Sequence, residues 1–217
     1  MYWKDEGYLL TKNSLNENSI IIDAFTLEHG RHSGVVYGGS SRKQKKNFQI
    51  GNKILLNWNS KGENKIGYFS IELIKPIIPH FFDNKKKSIC MLSACSILKI
   101  LLPERQINKK IFYEFENFIS NLNKENWIES YIFWEFSLIK ELGYEVDFNK
   151  DRAVIEVNNK PLKIPDLLRN IKIDMKKKYI NEALFFNKNL LMENFITPNK
   201  LKFPNSRNIL ERYFNNS

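Results

Sequence analysis

Cations are the side chains best suited to chemistry in this sequence, and they are densest in residues 38–46, Gly-Gly-Ser-Ser-Arg-Lys-Gln-Lys-Lys. Guanidinium, ammonium and serine hydroxyl groups are common partners of backbone phosphates, and the paired glycines allow a close approach of the main chain. We therefore predict that Arg42, Lys43, Lys45 and Lys46 grip a nucleic-acid backbone without selecting a base sequence. A solvated charge run on a loop is the alternative interpretation.

Further candidates lie on both sides of this segment. Arg31 and Lys53 could extend the cationic track, and Tyr37 and Trp58 could stack on unpaired bases, the combination that sequence-tolerant single-strand binders use. The two-residue period of a strand does not tell which face looks outward, so Trp58 could instead belong to the core.

The positive charge is unevenly distributed along the chain. The net charge is +10, of which residues 1–80 carry +4 and residues 150–217 carry +7, while residues 81–149 carry −1. This asymmetry indicates a polyanionic partner such as nucleic acid. A membrane partner is disfavoured, because no apolar run reaches the roughly 18 residues that span a bilayer and residues 1–7 lack a signal-peptide core, so we expect a cytoplasmic protein.

The sequence lacks the marks of the common catalytic sites. It contains no P-loop, no GxGxxG after a strand, no HExxH and no GxSxG. Residues 28–32, Glu-His-Gly-Arg-His, form the densest titratable group, but at a predicted turn they are better explained by turn chemistry and a phosphate contact. We predict a protein without catalytic activity or cofactor.

Metal binding is also not expected. Cys90 and Cys95 lie in an apolar stretch that predicts a packed helix, and two thiols cannot complete a four-ligand zinc site. His29, His32 and His80 lie far away in sequence. Both cysteines are therefore predicted to be buried and inert.

A small β-barrel must position the basic segment. Short β-branched and aromatic runs broken by polar, glycine or asparagine turns predict five strands, at residues 7–12, 19–26, 34–37, 53–59 and 66–74. Such a pattern fits an OB-fold, the commonest small barrel that grips single strands, and an SH3-like barrel would produce a similar one. Two prolines within residues 75–80 end the strand pattern, so we place a domain boundary after residue 79.

Helical spacing dominates the rest of the chain. Residues 80–217 are predicted to form a helical domain with one small hairpin, at residues 153–157 and 161–164. The helices are expected at residues 84–102, 108–122, 125–142, 166–171, 176–195 and 204–214. Five aromatic residues in the third helix predict the hydrophobic centre of a bundle: Trp127, Tyr131, Phe133, Trp134 and Phe136.

Several spaced motifs follow the same order as in a known family, and together the sequence resembles the bacterial RecO proteins. The N-terminal motifs are residues 5–10 (Asp-Glu-Gly-Tyr-Leu-Leu), 26–31 (Thr-Leu-Glu-His-Gly-Arg) and 35–39. The later motifs are residues 102–105 (Leu-Pro-Glu-Arg), 134–136 (Trp-Glu-Phe), 142–144 (Leu-Gly-Tyr), 206–207 (Ser-Arg) and 209–210 (Ile-Leu).

This resemblance implies an α+β protein, with an N-terminal OB-fold β-barrel at residues 1–79 followed by an α-helical domain. It also implies a mediator of DNA repair and recombination without an enzyme active site, which binds single-stranded and possibly duplex DNA and anneals strands. RecR is the implied partner, and with it such proteins help RecA to replace single-strand-binding protein on DNA.

The main departure from the family concerns zinc. Many relatives carry a four-cysteine zinc module after the Leu-Gly-Tyr motif, whereas residues 145–165 contain no cysteine. We interpret residues 143–165 as a reduced β insert without metal.

Family members also capture the acidic, phenylalanine-ending tail of single-strand-binding protein on the helical domain. Lys202 and Arg207 are candidate contacts to its terminal carboxylate. Two rival functions remain, an OB-fold RNA-binding factor for ribosome or tRNA work and a protein-docking scaffold with incidental charge.

Overall fold

The computed structural model describes residues 1–39, 48–62, 66–81, 83–144, 153–158, 160–169 and 177–215. The chain divides into two compact units, Met1–Tyr113 and Glu114–Ser217. The first unit contains five strands and a helix that follows them, so it extends beyond the boundary predicted after residue 79. As a division of the sequence into domains, that boundary stays a prediction.

The five predicted strands form a closed barrel. They are β1 (Tyr2–Ser14), β2 (Ser19–Thr26), β3 (Gly30–Tyr37), β4 (Lys53–Asn59) and β5 (Gly67–Lys75). Around the barrel their order is β1-β2-β3-β5-β4, with β1 antiparallel to both β2 and β4 and with β3 parallel to β5 at Gly34 and Gly67. This Greek-key order is that of the five-stranded OB-fold, which decides between the two barrels that strand count left open.

Strand β1 begins at Tyr2, earlier than the predicted residue 7, because the charged residues there are compatible with the barrel. Trp3 packs against the barrel core and Leu9 is fully buried, while the exposed Lys4 alternates with them. Asp5 is also buried, and its carboxylate accepts hydrogen bonds from the backbone N–H groups of Glu6 and Glu28. A buried carboxylate is tolerated when such donors replace water.

The barrel interior is apolar and closely packed. Strand alternation sends one face of each strand inward. A glycine is needed at residue 7, since an added Cβ would collide with the carbonyl of Phe25 on β2. The buried core residues are Leu9, Ile20, Ile22, Ala24, Val36, Phe48, Ile54, Leu56, Trp58 and Phe69.

Helix α1 (Lys85–Leu101) follows a short 3₁₀ turn (Ile78–Phe81) and packs against β1. The Asn84 side chain caps its N-terminus by accepting from the Lys87 N–H, and the helix ends before Pro103. Cys90 and Cys95 are both fully buried in this helix, as the apolar pattern predicted.

Helix α2 (Lys109–Asn121) begins in the first unit and ends in the second. The second unit continues with α3 (Trp127–Glu141), α4 (Lys177–Leu191), a wider helical turn (Met192–Ile196) and α5 (Asn205–Asn215). Helix α4 packs against both α3 and α5.

Most of the aromatic residues of α3 form the predicted hydrophobic centre. Tyr131, Trp134 and Phe136 are buried, and the Trp134 ring lies 5.6 Å from that of Phe115 and 5.2 Å from that of Phe118, both in α2. Two of the five lie outside this centre: Phe133 is 39% exposed, and Trp127 is half-buried with its ring 6.2 Å from that of Phe214 in α5.

The predicted hairpin is present in the segment interpreted as a reduced insert; it is formed by β6 (Val154–Val157) and β7 (Lys160–Lys163) and is followed by a 3₁₀ turn (Asp166–Arg169). Its residues 145–152 lie outside the described part of the chain. Among the described residues, no three histidine, cysteine or acidic side chains are grouped closely enough to hold a metal ion. No helix in the same ranges is both long and apolar enough to cross a bilayer.

Candidate nucleic-acid interface

The densest predicted phosphate-binding residues, Arg42, Lys43, Lys45 and Lys46, lie outside the described residues. Their sequence position is nevertheless informative, because the basic segment directly follows the end of β3 at Tyr37 and the turn at Gly38. Any surface that Tyr37 belongs to is therefore next to this segment along the chain.

Arg31 is held by protein groups. Its Nη1 donates to Asp23 Oδ1 at 3.0 Å and to Glu104 Oε1 at 3.3 Å, and its Nε donates to the carbonyl of Leu102 at 2.8 Å. The side chain is 13% exposed. Arg31 therefore joins β3 to the segment after α1. Because these contacts occupy its guanidinium, little of that group is left for a phosphate.

The network around Arg31 continues through Asp23. The Asp23 carboxylate also accepts from the hydroxyls of Thr11 and Ser33 and pairs with Lys99 of α1 at 3.2 Å. Burial by itself would raise the pKa of Asp23, but the bonds from Ser33 and Thr11 and the charge of Lys99 together lower it. The middle of the outer face of β2 and β3 is thus occupied by ion pairs and hydrogen bonds between groups of the protein itself.

Lys53 and Trp58 are also engaged within the barrel. Lys53 pairs with Glu6 at 3.1 Å and lies over the ring of Tyr8 at 5.8 Å. Trp58 is 3% exposed and belongs to the core, which settles the question of its face. Trp58 therefore provides no open platform for stacking, and Arg31, Lys53 and Trp58 do not form one exposed group.

Two exposed tyrosines do form a surface on the barrel. Tyr37 on β3 is 72% exposed and Tyr68 on β5 is 42% exposed, and their ring centroids lie 6.2 Å apart. The parallel pairing of Val35 with Tyr68 brings them together. We call this pair the tyrosine platform. Tyr68 was missed as a candidate, although its alternation with the buried Phe69 could have indicated an outward side chain.

The loops that flank this part of the barrel are exposed and carry cations. In OB-folds, the surface of strands 2 and 3 and the loops β1–β2 and β4–β5 hold oligonucleotides. Here Leu15 of the β1–β2 loop is 53% exposed, and the β4–β5 loop carries the exposed Lys61 and Ile66. A cavity of about 590 Å³ lies between the β1–β2 hairpin and the turn after β3, where Lys12, Gly39 and Phe48 are among the lining residues.

The titratable group at residues 28–32 supports the turn between β2 and β3. The carboxylate of Asp5 holds the backbone N–H of Glu28 and Nδ1 of His29, each within hydrogen-bond distance. Glu28 pairs with Lys109 at 2.6 Å. These contacts agree with the interpretation of turn chemistry.

The two residues proposed for the partner tail differ in accessibility. Lys202 is exposed in the segment before α5. Arg207 is 0% exposed and its guanidinium bonds to Glu135 and to the carbonyl of Leu184. Because Arg207 has no accessible surface for a tail carboxylate, we do not carry its predicted partner role further.

Comparisons with known proteins agree with the fold. Residues 1–77 match the family described as Recombination protein O N terminal, and residues 84–174 match Recombination protein O C terminal. The DNA repair protein RecO of Rickettsia bellii is 39% identical over 147 residues, which are 68% of this chain and 61% of that protein. RecO of Jannaschia sp. is 32% identical over 70% of this chain and 63% of that protein.

Other relatives match over more of their length. RecO of Rickettsia peacockii is 34% identical over 191 residues, which cover 88% of this chain and 80% of that protein. By contrast, the chain spans less than two thirds of the R. bellii and Jannaschia proteins. From the two family matches and from the extent of this similarity, the chain belongs to the RecO family of recombination proteins.

Proposed function

We propose that this protein acts in DNA repair and recombination by binding single-stranded DNA without catalysis. The observation that carries the proposal is the tyrosine platform of Tyr37 and Tyr68 on an OB-type barrel, placed directly before the basic segment in sequence. Aromatic surfaces beside cationic tracks bind single strands of any sequence, because every base has a face that can stack.

The membership of the family supports the biological role. Relatives over most of this chain are named DNA repair proteins. As in the resemblance described above, we propose that the protein anneals complementary strands and, together with RecR, helps RecA to load on DNA coated by single-strand-binding protein. The exposed Lys202 is the cation that we retain as a candidate contact for the acidic tail of that protein.

The stacking step can be tested with a labelled oligonucleotide. In fluorescence anisotropy, the double variant Tyr37→Ala/Tyr68→Ala should bind single-stranded DNA roughly tenfold or more weakly, since stacking contributes about 1–3 kcal/mol per base. The matched control is Tyr113→Ala, because Tyr113 is 54% exposed and belongs to α2 and not to a barrel strand. Equal losses in the two variants would contradict the platform.

The rival functions give different outcomes in the same assay. A preference for RNA over single-stranded DNA of equal length would favour the RNA-binding factor, and no nucleic-acid binding at moderate salt would leave the docking scaffold. Binding of a peptide with the tail sequence, weakened by Lys202→Glu while DNA binding is kept, would support the partner contact. The annealing activity is tested separately by mixing two complementary strands and measuring the decrease of a signal that only the unpaired strands give.

A further inference from the structure

The second unit contains a cavity of about 330 Å³ between α2 and α3, and all its lining residues belong to Glu114–Ser217. On α2 they run from Glu114 to Asn121, and on α3 from Ser130 to Ser137. The Ser137 hydroxyl donates to Oε2 of Glu114 at 2.9 Å and so links the two helices. We call this cavity the α2–α3 pocket. None of its lining residues belongs to the barrel or to the basic segment, so the proposed DNA contacts do not use it.

One aromatic ring of the α2–α3 pocket is open to a ligand. Phe118 and Trp134 form the base, with stacked rings 5.2 Å apart and at most 5% exposure. Phe133 also lines the pocket but is 39% exposed, and no other ring in the described ranges contacts it. The open face of an aromatic ring attracts a cation, and a planar cation can also stack on it. Phe133 is therefore the ring that a ligand can reach.

The polar side of the pocket offers hydrogen-bond acceptors. Glu114 is half-buried, and while its Oε2 accepts from Ser137, its Oε1 has no partner in the part of the chain that the structure describes. The side-chain amide of Asn121 donates to that of Asn117 at 3.4 Å, and Oδ1 of Asn121 likewise has no partner among the described residues. No lysine or arginine of these ranges lines the pocket. A carboxylate without a cation indicates a positively charged ligand.

The helices around the pocket are acidic, although the chain as a whole is basic. Residues 114–141 contain six glutamates and two lysines, a net charge of −4, whereas the chain carries +10. Glu129 lies one turn before Phe133 on α3 and has no ion pair within the described residues, and burial raises the pKa of its carboxyl. A phosphate would be repelled here and a cation attracted. The charge therefore favours a basic protein segment over a nucleic acid.

We propose that the α2–α3 pocket binds an arginine side chain presented by a partner protein. The guanidinium stacks on Phe133 and donates to Oε1 of Glu114, while Oδ1 of Asn121 accepts a backbone N–H of the same segment. A planar guanidinium can stack through its face and donate through its edge at the same time, whereas an ammonium is a compact charge without a face. The size of the cavity, near the lower limit for ligand sites, suits one side chain. This contact lies beyond the proposed DNA binding and does not depend on it.

The test is a nuclear magnetic resonance titration of the ¹⁵N-labelled full chain with three capped peptides. The first is Gly-Ser-Gly-Arg-Gly-Ser-Gly, and the others replace its arginine by lysine or by citrulline, which has nearly the same shape but no charge. We expect the arginine peptide to shift the signals of residues 114–137. The lysine peptide should bind about threefold more weakly and the citrulline peptide about tenfold more weakly. Equal binding of the citrulline peptide, or no shifts with the arginine peptide, would overturn the proposal.

Variants locate the binding in the pocket. Glu114→Gln keeps an acceptor for Ser137 but removes the charge, and it should weaken binding of the arginine peptide about tenfold. Its control is Glu116→Gln, which removes the same charge from α2 outside the pocket. Phe133→Ala should weaken binding about threefold, with Phe185→Ala as control because Phe185 is 55% exposed on α4. Binding that neither Glu114→Gln nor Phe133→Ala weakens would place the arginine elsewhere.

Two other occupants of the pocket have their own outcomes. If the same signals shift on dilution of the protein without peptide, and sedimentation shows a dimer, a second copy fills the pocket and the assignment to a partner is wrong. Shifts of these signals by single-stranded DNA would also overturn it. A chain that fails to bind DNA but binds the arginine peptide would defeat the proposed function alone, so the two failures are distinguishable.

Discussion

Arg207 and Glu135 form a fully buried ion pair that joins α5 to α3. Nε of Arg207 donates to Oε1 of Glu135 at 2.7 Å, and Nη2 donates to Oε2 at 3.0 Å. The hydroxyl of Tyr131 donates to the same carboxylate at 2.9 Å. Burial alone would lower the pKa of Arg207, but the Glu135 carboxylate raises it, so the guanidinium stays charged. The motifs Trp-Glu-Phe and Ser-Arg are therefore linked by one structural contact.

Breaking this pair should destabilise the protein strongly. Arg207→Met leaves the Glu135 carboxylate buried without its main partner, and we expect it to lower the free energy of unfolding by about 3–5 kcal/mol. Glu135→Gln should also cost stability, but the double variant should cost less than the two single variants together. Urea denaturation of the four proteins measures these differences. Additive effects would mean that the two side chains are not coupled.

We predict that Arg31 stabilises the folded protein, whereas the sequence analysis assigned it to a phosphate contact. Arg31→Gln removes the ionic bonds to Asp23 and Glu104, so we expect a lower Tm together with an unchanged salt dependence of DNA binding. Lys124→Gln is a suitable control because Lys124 is exposed between α2 and α3, outside the barrel. A smaller salt dependence with Arg31→Gln, by about one phosphate contact, would restore the assignment from sequence.

The barrel and the helices could be predicted because each relies on local patterns. Strand alternation and helical spacing are properties of neighbouring residues, so β2, β4 and the hydrophobic face of α3 were identified within a few residues. Strand order could not be derived in this way, because the parallel pairing of Gly34 with Gly67 depends on the whole barrel. The OB-fold was therefore implied by the family resemblance, and the strand order of the barrel agrees with it.

The candidate site was less predictable, because charge and residue type do not reveal which partner a side chain finds. Arg31 and Arg207 were both assigned to outside partners, and both are held by carboxylates distant in sequence, Asp23 and Glu135. Tyr68 was not among the predicted residues, because the strand pattern alone did not tell which face of β5 looks outward. Long-range pairing thus separates structural arginines from those available to a ligand.

The basic segment should supply most of the salt-sensitive part of DNA binding. Replacing Arg42, Lys43, Lys45 and Lys46 together by glutamine removes four proposed phosphate partners and should weaken binding for all sequences alike. For single strands, each lost contact reduces the slope of log K against log salt by about 0.7. Anisotropy titrations at about 50 and 200 mM salt measure the slope. An unchanged slope would show that these side chains do not contact phosphates.

The two cysteines should be unreactive in the folded protein. Cys90 and Cys95 are each 0% exposed, and burial raises the pKa of the Cys95 thiol, so almost no thiolate is available. We expect no reaction with a thiol reagent at about pH 8 until the protein is unfolded in guanidinium chloride. Rapid labelling of the native chain would indicate that α1 opens or is packed differently. The labelled residue, identified by mass spectrometry, would show where.

Stability should fall between about pH 6.5 and pH 4 because of His32. The pKa of this imidazole is lowered from 6.5 to about 4 in the folded protein, first by burial and then by the charges of Arg105 and His29. Between these values the unfolded chain binds the proton and the folded chain does not, so the free energy of unfolding decreases as the pH falls. The full effect is on the order of 3 kcal/mol, and it is complete below about pH 4.

His32→Phe has no proton to bind in either state, so its unfolding free energy, measured in urea at several pH values, should decrease less over this range. Parallel pH profiles for the two proteins would show that the pKa of His32 is not lowered by folding.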